Sequence, residues 1–123
     1  MAVSGTLSTQ QGIAYIVAAH GVLQRQARRT GCPAALLHTL LALEALNSRE
    51  YALSARTSEL QQAMRIRLPL LRGYVRDLEQ SGYVVRERVF LRGPRLLRLT
   101  STGRGLLSGL AGSLREAAEQ VLG

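Results

Sequence analysis

A mainly helical fold carrying one small β-ribbon is predicted by three observations. Apolar residues recur at helical spacing over most of the chain, and two short helices meet at a tight turn between Met64 and Leu68. After Gly82 come two β-rich runs around the turn Arg92-Gly93-Pro94-Arg95. Two helices followed by a two-stranded ribbon form a winged helix-turn-helix, whose second helix usually enters a DNA major groove. The expected class is therefore α+β: a winged helix-turn-helix over residues 51–100, flanked by dimerisation helices at about 8–30 and 101–122. A length of 123 residues suits one such domain.

Residues 1–8 are small and polar, a lead-in to the first helix. That helix starts at Ser8 or Thr9, runs to Arg29 and is stopped by Gly31, with Pro33 beyond. Its middle, Ile13 to Leu23, is apolar on nearly every side, so more than one face needs cover. A second subunit is the expected cover, with Ile13, Ile16 and Val17 in the contact. Arg25, Arg28 and Arg29 fall in the last turns, where the helix dipole favours cations.

A second helix starts at Cys32-Pro33 and ends at Asn47-Ser48, with an amphipathic leucine series from Leu36 to Leu46. Tyr51-Ala52-Leu53 has the character of a short strand flanking the ribbon. The third helix is capped by Thr57 or Ser58, with Ser58 and Gln61 at capping-box spacing, and turns Leu60, Ala63 and Met64 inward. The fourth opens at Leu68-Pro69 and closes before Gly82. At 100° per residue Leu71, Tyr74, Val75 and Leu78 share one side of it, and Pro69, Arg72, Gly73, Arg76 and Gln80 the other. Strands are expected from Tyr83 to Phe90 and from Leu96 to Thr100.

Thr100 or Ser101 caps a final helix in which Leu107, Leu110, Leu114, Ala117 and Val121 form a heptad seam, a second dimerisation surface. Gly105, Gly109 and Gly112 line another strip, the kind of bare backbone that lets a further helix approach.

Composition narrows the function. The net charge is +8, every basic residue is Arg, and the interval Arg56–Arg104 holds eleven of them against four acids, so it carries +7 of that charge. A polyanionic partner follows, double-stranded DNA for this architecture. Aromatics are only 4%, so Leu and Ala must build the core. One cysteine allows no intramolecular disulfide and fits a reducing compartment. No basic-then-apolar leader opens the chain, and the longest apolar stretch falls short of the roughly 20 residues of a membrane span. A soluble cytoplasmic protein without membrane attachment is expected. No nucleophile–base pair, carboxylate pair, phosphate-binding glycine loop or metal-ligand spacing stands out, so neither enzyme activity nor a metal or cofactor is expected.

Arg72 and Arg76, one turn apart with Gly73 between them, are the candidate base readers, since an Arg fork fits the O6 and N7 of guanine. Arg92 and Arg95 flank the ribbon turn and suit a minor groove or phosphates. Arg65, Arg67, Arg86 and Arg88 are further phosphate candidates. Cys32, near a helix N-terminus that would lower its thiol pKa, is a candidate redox site.

The run from Thr57 to Arg86, followed by Leu96 to Leu107, resembles the multiple-antibiotic-resistance regulator (MarR) family. Ser58-Glu59-Leu60, Val75 to Glu79 with Gly82-Tyr83-Val84, and Leu99-Thr100 with Gly103-Arg104 carry the likeness. It implies a dimeric transcriptional regulator, joined through its terminal helices, that reads DNA with the fourth helix and often answers to a small-molecule effector. Some relatives also sense oxidants through a lone cysteine. The chain departs from the pattern at Leu68-Pro69-Leu70, where small hydroxylated side chains usually open the reading helix, and in a wing turn without the customary acid. That apolar opening supports an alternative, a winged-helix protein-interaction module such as an adaptor or anti-regulator.

Overall fold

Ser8 opens the first helix with its own side chain: its hydroxyl accepts from the Gln11 amide at 3.1 Å while the Gln11 side chain accepts from the Ser8 amide at 3.0 Å. From this capping box α1 (Thr9–Thr30) runs until Gly31, whose φ of 75° ends the helix. The computed structural model describes residues 8–48, 55–88 and 95–123; the expected lead-in, the strand at Tyr51–Leu53, and Phe90 and Arg92 lie outside them. Six further elements follow α2 (Ala34–Asn47): α3 (Thr57–Met64), α4 (Leu68–Gln80), β1 (Val84–Arg88), β2 (Arg95–Leu99), α5 (Ser101–Leu107) and α6 (Leu110–Leu122). The fold is mainly helical with one two-stranded antiparallel sheet.

α2 is the centre rather than the one-sided helix that its leucine spacing suggests. It packs against α1, α3, α4, α5 and β2, and Leu37, Thr39, Leu40 and Leu43 are sealed. Thr39 returns its hydroxyl to the Ala35 carbonyl at 2.9 Å, so the hydroxyl is satisfied inside the core. Asn47, which the sequence marks only as a helix end, is buried and ties α2 to the sheet. Its Oδ1 accepts from the Leu99 amide at 3.1 Å and its Nδ2 donates to the Leu97 carbonyl at 3.5 Å.

α3 begins one residue earlier than expected. Glu59 reaches back to the Arg56 amide at 3.0 Å, so the pair with capping-box spacing is Arg56 and Glu59, not Ser58 and Gln61. Leu60 is buried and Met64 packs on the core, but Ala63 faces solvent. α4 sends Leu71, Val75 and Leu78 inward as its spacing requires. It ends in a Schellman turn: the Tyr83 amide donates to Leu78 O, the Gly82 amide to Glu79 O, and Gly82 takes a φ of 80°.

β1 and β2 pair with Val84 opposite Leu99 and Arg88 opposite Arg95. Ala55 adds an antiparallel bridge to Leu97 on the other side of β2, two residues beyond the segment in which the flanking strand was expected. The base of the ribbon is fastened to α5. Thr100 donates its amide to Tyr83 O at 3.1 Å and its hydroxyl to Gly82 O at 2.7 Å, and that same hydroxyl accepts from the Gly103 amide at 3.0 Å. Gly103 lies so close that a Cβ there would run into the Tyr83 carbonyl.

The expected continuous final helix is broken. Ser108 leaves the helical conformation and Gly109, at φ 81°, opens α6. Gly109 thus serves the break, and no other described residue comes within 4 Å of a Cβ placed at Gly105 or Gly112. The seam is also used differently from the expectation. Leu107 and Leu110 are buried within their own chain, and α6 packs along α1, so these two leucines hold the protomer together instead of offering a free dimer surface. Leu114 and Val121 are half-buried. On α1, Ile13, Ile16 and Val17 remain 58%, 68% and 67% exposed.

Candidate nucleic-acid interface

The turn before α4 is tight because Arg65 adopts a φ of 55°, a left-handed conformation that a non-glycine residue takes at a cost. The Arg65 amide closes α3 on Gln61 O at 2.8 Å, and Gln61 Nε2 donates to Ile66 O at 3.3 Å. Both guanidinium-bearing residues of this turn, Arg65 and Arg67, are exposed. Pro69 follows in the first turn of α4, where its missing N–H costs nothing.

On α4 the outward face carries Pro69, Leu70, Arg72 and Arg76, all exposed, with Gly73 half-covered among them. Leu70 is 44% exposed, so the apolar opening is a surface feature. Arg76 leans back along the helix: its Nη2 lies 4.0 Å from where a Gly73 Cβ would stand. Neither Arg72 nor Arg76 is paired with a carboxylate of the described residues. Glu79 is engaged elsewhere, accepting from Arg86 Nε at 2.8 Å across the gap between α4 and β1. On the opposite ribbon face Glu87 meets Arg98 at 3.1 Å.

The ribbon register brings Val84, Arg86 and Arg88 onto one face with Leu99, Leu97 and Arg95. Its inner end, Val84 with Leu97 and Leu99, is core; its outer end is two arginines directly opposite each other, Arg88 and Arg95. Like charges in that position repel. Neither guanidinium has a hydrogen bond or ion pair with a described residue, which leaves the outer end of the ribbon able to receive an anion. The sequence named both residues but could not show that they face each other.

Between α3, α4 and β1 lies a cleft of about 360 Å³, lined by Thr57, Ser58, Gln61, Leu68, Arg72 and Arg86. Thr57, Ser58 and Gln61 were not expected at the interface, since their sequence signal is that of a helix cap. Of the nine residues named as DNA contacts, Arg72 and Arg86 line this cleft, Gly73 and Arg76 follow Arg72 on α4, Arg65 and Arg67 are exposed in the turn, Arg88 and Arg95 are exposed at the outer end of the ribbon, and Arg92 lies outside the described residues.

This combination of elements has close structural counterparts. The chain superposes on NadR, solved in complex with 4-hydroxyphenylacetate, with a TM-score of 0.71 at 21% identity, over 100% of this chain and 86% of that one. Against oxidised MarR from Escherichia coli the TM-score is 0.68 at 16% identity, over 94% of this chain and 79% of that one. The chain has the MarR winged-helix fold. Bordetella bronchiseptica BpsR, whose DNA binding is regulated by 6-hydroxynicotinic acid, shares it with a TM-score of 0.62 at 18% identity, over 100% and 84% of the two chains. No protein-family model matches the sequence, and no curated protein does. Within this MarR-type frame α3 and α4 form the helix-turn-helix, and β1 with β2 the wing.

Cys32 does not have the environment of a reactive thiol. It is buried, its Sγ donates weakly to Pro33 O at 3.8 Å, and burial pushes its pKa above the usual thiol value. The expected lowering by a helix N-terminus is outweighed by loss of solvent around the thiolate. Among the described residues no three of His, Cys, Asp and Glu gather into a metal-binding group, and no helix is long and apolar enough to cross a membrane.

Proposed function

We propose that this protein is a dimeric DNA-binding transcriptional regulator that lays α4 in the major groove and its arginine-rich wing on the minor groove or the phosphates. One observation carries the reading: Arg72, Arg76, Arg88 and Arg95 stand exposed on the helix-turn-helix and wing without a carboxylate partner among the described residues. Arginines left without counter-ions on one architecture suit a polyanion. Arg92, which falls between the two strands in the sequence, belongs to the same reading.

Ile13, Ile16 and Val17 form the core of the proposed dimer contact, with Leu114 and Val121 at its edge. NadR and BpsR, with their 4-hydroxyphenylacetate and 6-hydroxynicotinic acid, support a small aromatic acid as effector. Such a protein works in the cytoplasm, beside the chromosome, and performs no catalysis.

Mobility shift on the DNA upstream of its own gene tests the reading. A retarded band that weakens steeply as salt rises is expected, because each phosphate contact releases counter-ions. Failure to shift any duplex at low salt rules the reading out.

The exposed Pro69-Leu70 opening of α4 favours a second reading, a winged-helix module that binds a protein partner. Replacing Pro69 and Leu70 with Ser would then abolish partner capture while leaving the fold intact. Unchanged capture by that variant rules it out.

A further inference from the structure

Arg72 and Arg76 are indistinguishable in the sequence as outward residues of one helix, but their surroundings differ. Arg72 turns into the cleft between α3, α4 and β1, where Arg86 faces it. Glu79 occupies the Nε edge of Arg86, and among the described residues no partner binds the Nη groups of that guanidinium, the Arg72 guanidinium or the hydroxyls of Thr57 and Ser58. Among the described residues no carboxylate lines the cleft. Among the described residues Glu79 balances Arg86, whereas Arg72, which shares this space of about 360 Å³ with Arg86 and two hydroxyls, has no carboxylate partner.

We infer that this cleft seats a backbone phosphate of the bound DNA, with Arg72 clamping that phosphate while Arg76 alone faces the base edges. The assignment rests on the DNA-binding reading above and divides its work between two arginines. A guanidinium forks onto two phosphate oxygens as readily as onto a guanine edge, so position decides between them. Arg72 sits in a polar recess shared with Arg86, and hydroxyl groups of this kind commonly bond phosphate oxygens. Arg76 lines no part of that recess and lies over the bare backbone at Gly73, where a base edge can approach.

The experiment compares full-length wild type, Arg72→Ala, Arg72→Lys and Arg76→Ala on a duplex that wild type shifts, together with single-base variants of that duplex. Fluorescence anisotropy over a range of salt gives affinity and its salt slope. Arg72→Ala should lose about tenfold or more in affinity, equally on every variant. Its log–log salt slope should fall in magnitude by about 0.9, the value of one phosphate contact. Arg72→Lys, which keeps the charge, should restore the slope. Arg76→Ala should instead flatten the preference at one base pair.

A neutral methylphosphonate introduced at successive positions should reveal one phosphate whose loss weakens wild type but leaves Arg72→Ala unaffected. Wild-type binding with a base preference that Arg72→Ala flattens, its slope unchanged, overturns the phosphate seat and leaves the DNA reading standing. Competition by inorganic phosphate beyond the effect of matched chloride marks a free-phosphate site and overturns the DNA assignment of the cleft. A wild type that binds no duplex overturns both.

Discussion

The winged half and the terminal-helix half of this molecule leave opposite chemistry on their surfaces. Apart from Leu70, α4 and the ribbon turn their aliphatic residues toward the core and expose arginine, whereas α1 buries Val22 and Gln26 against its neighbours and exposes Ile13, Ile16 and Val17. Each half is internally satisfied: no buried side-chain polar atom of the described residues lacks a partner. Gln26 illustrates this, with Nε2 donating to Leu106 O at 2.8 Å and Oε1 accepting from Arg29. What remains unsatisfied is therefore at the surface, and it differs by region. Charge without counter-charge suits a polyanion, and aliphatic surface without cover suits a copy of the same chain.

The strongest way to break that contrast is to put a charge on the aliphatic side. In the proposed dimer Ile16→Glu counts twice by symmetry, at about 1.5–3 kcal/mol for each lost isoleucine burial. Light scattering should then report a monomer at micromolar concentration, with helicity by circular dichroism unchanged. A variant that stays dimeric removes the α1 face from the interface.

Gly103→Ala attacks the joint between the halves. Its new Cβ meets the Tyr83 carbonyl, a backbone group that cannot step aside by changing rotamer, so a loss of about 3 kcal/mol is expected from overpacking. Urea unfolding measures it; an unchanged midpoint shows that α5 can move away from the ribbon without penalty. Asn47→Leu removes the second fastening and leaves the Leu99 amide without its acceptor, at a cost of about 1–3 kcal/mol. Stability measured at two temperatures together with DNA affinity sharpens the comparison here. Destabilisation with little change in DNA affinity per folded molecule places Asn47 in the scaffold of the wing rather than in its contact.

The smallest effect concerns pH. The folded pKa of Cys32 is raised above the usual value of 9.0, so the unfolded chain gives up the thiol proton first. The stabilisation from keeping the thiol neutral is complete below about pH 9 and is lost as pH rises through the folded pKa. Wild type should therefore lose stability above pH 9 more steeply than Cys32→Ala, and parallel curves would show the thiol to be solvated. Slow alkylation of native protein below pH 9 follows from the same burial.

Most of the fold was legible because its signals are local. Gly31 and Gly82 stop their helices, Pro69 starts one, and the spacing of Leu71, Val75 and Leu78 defines the inner face of α4, all within a few residues of where they act. The concentration of charge between Arg56 and Arg104 was equally plain, and with it the kind of partner.

The misreadings arose where a local pattern admits two distant partners. Leu107 and Leu110 fit a heptad seam, but nothing in their spacing says whether the opposing surface belongs to a second chain or to their own, and the structure buries both within their own chain. Gly109 breaks what reads as a continuous helix, because its positive φ redirects α6 along α1. The same holds at the candidate site. The sequence alone determined that Arg72, Arg86, Arg88 and Arg95 are present and exposed. Only tertiary structure decided that Arg86 faces Arg72 across a cleft and that strand register sets Arg88 against Arg95. Periodicity fixes the direction of a side chain about its own element; long-range packing fixes what that side chain meets.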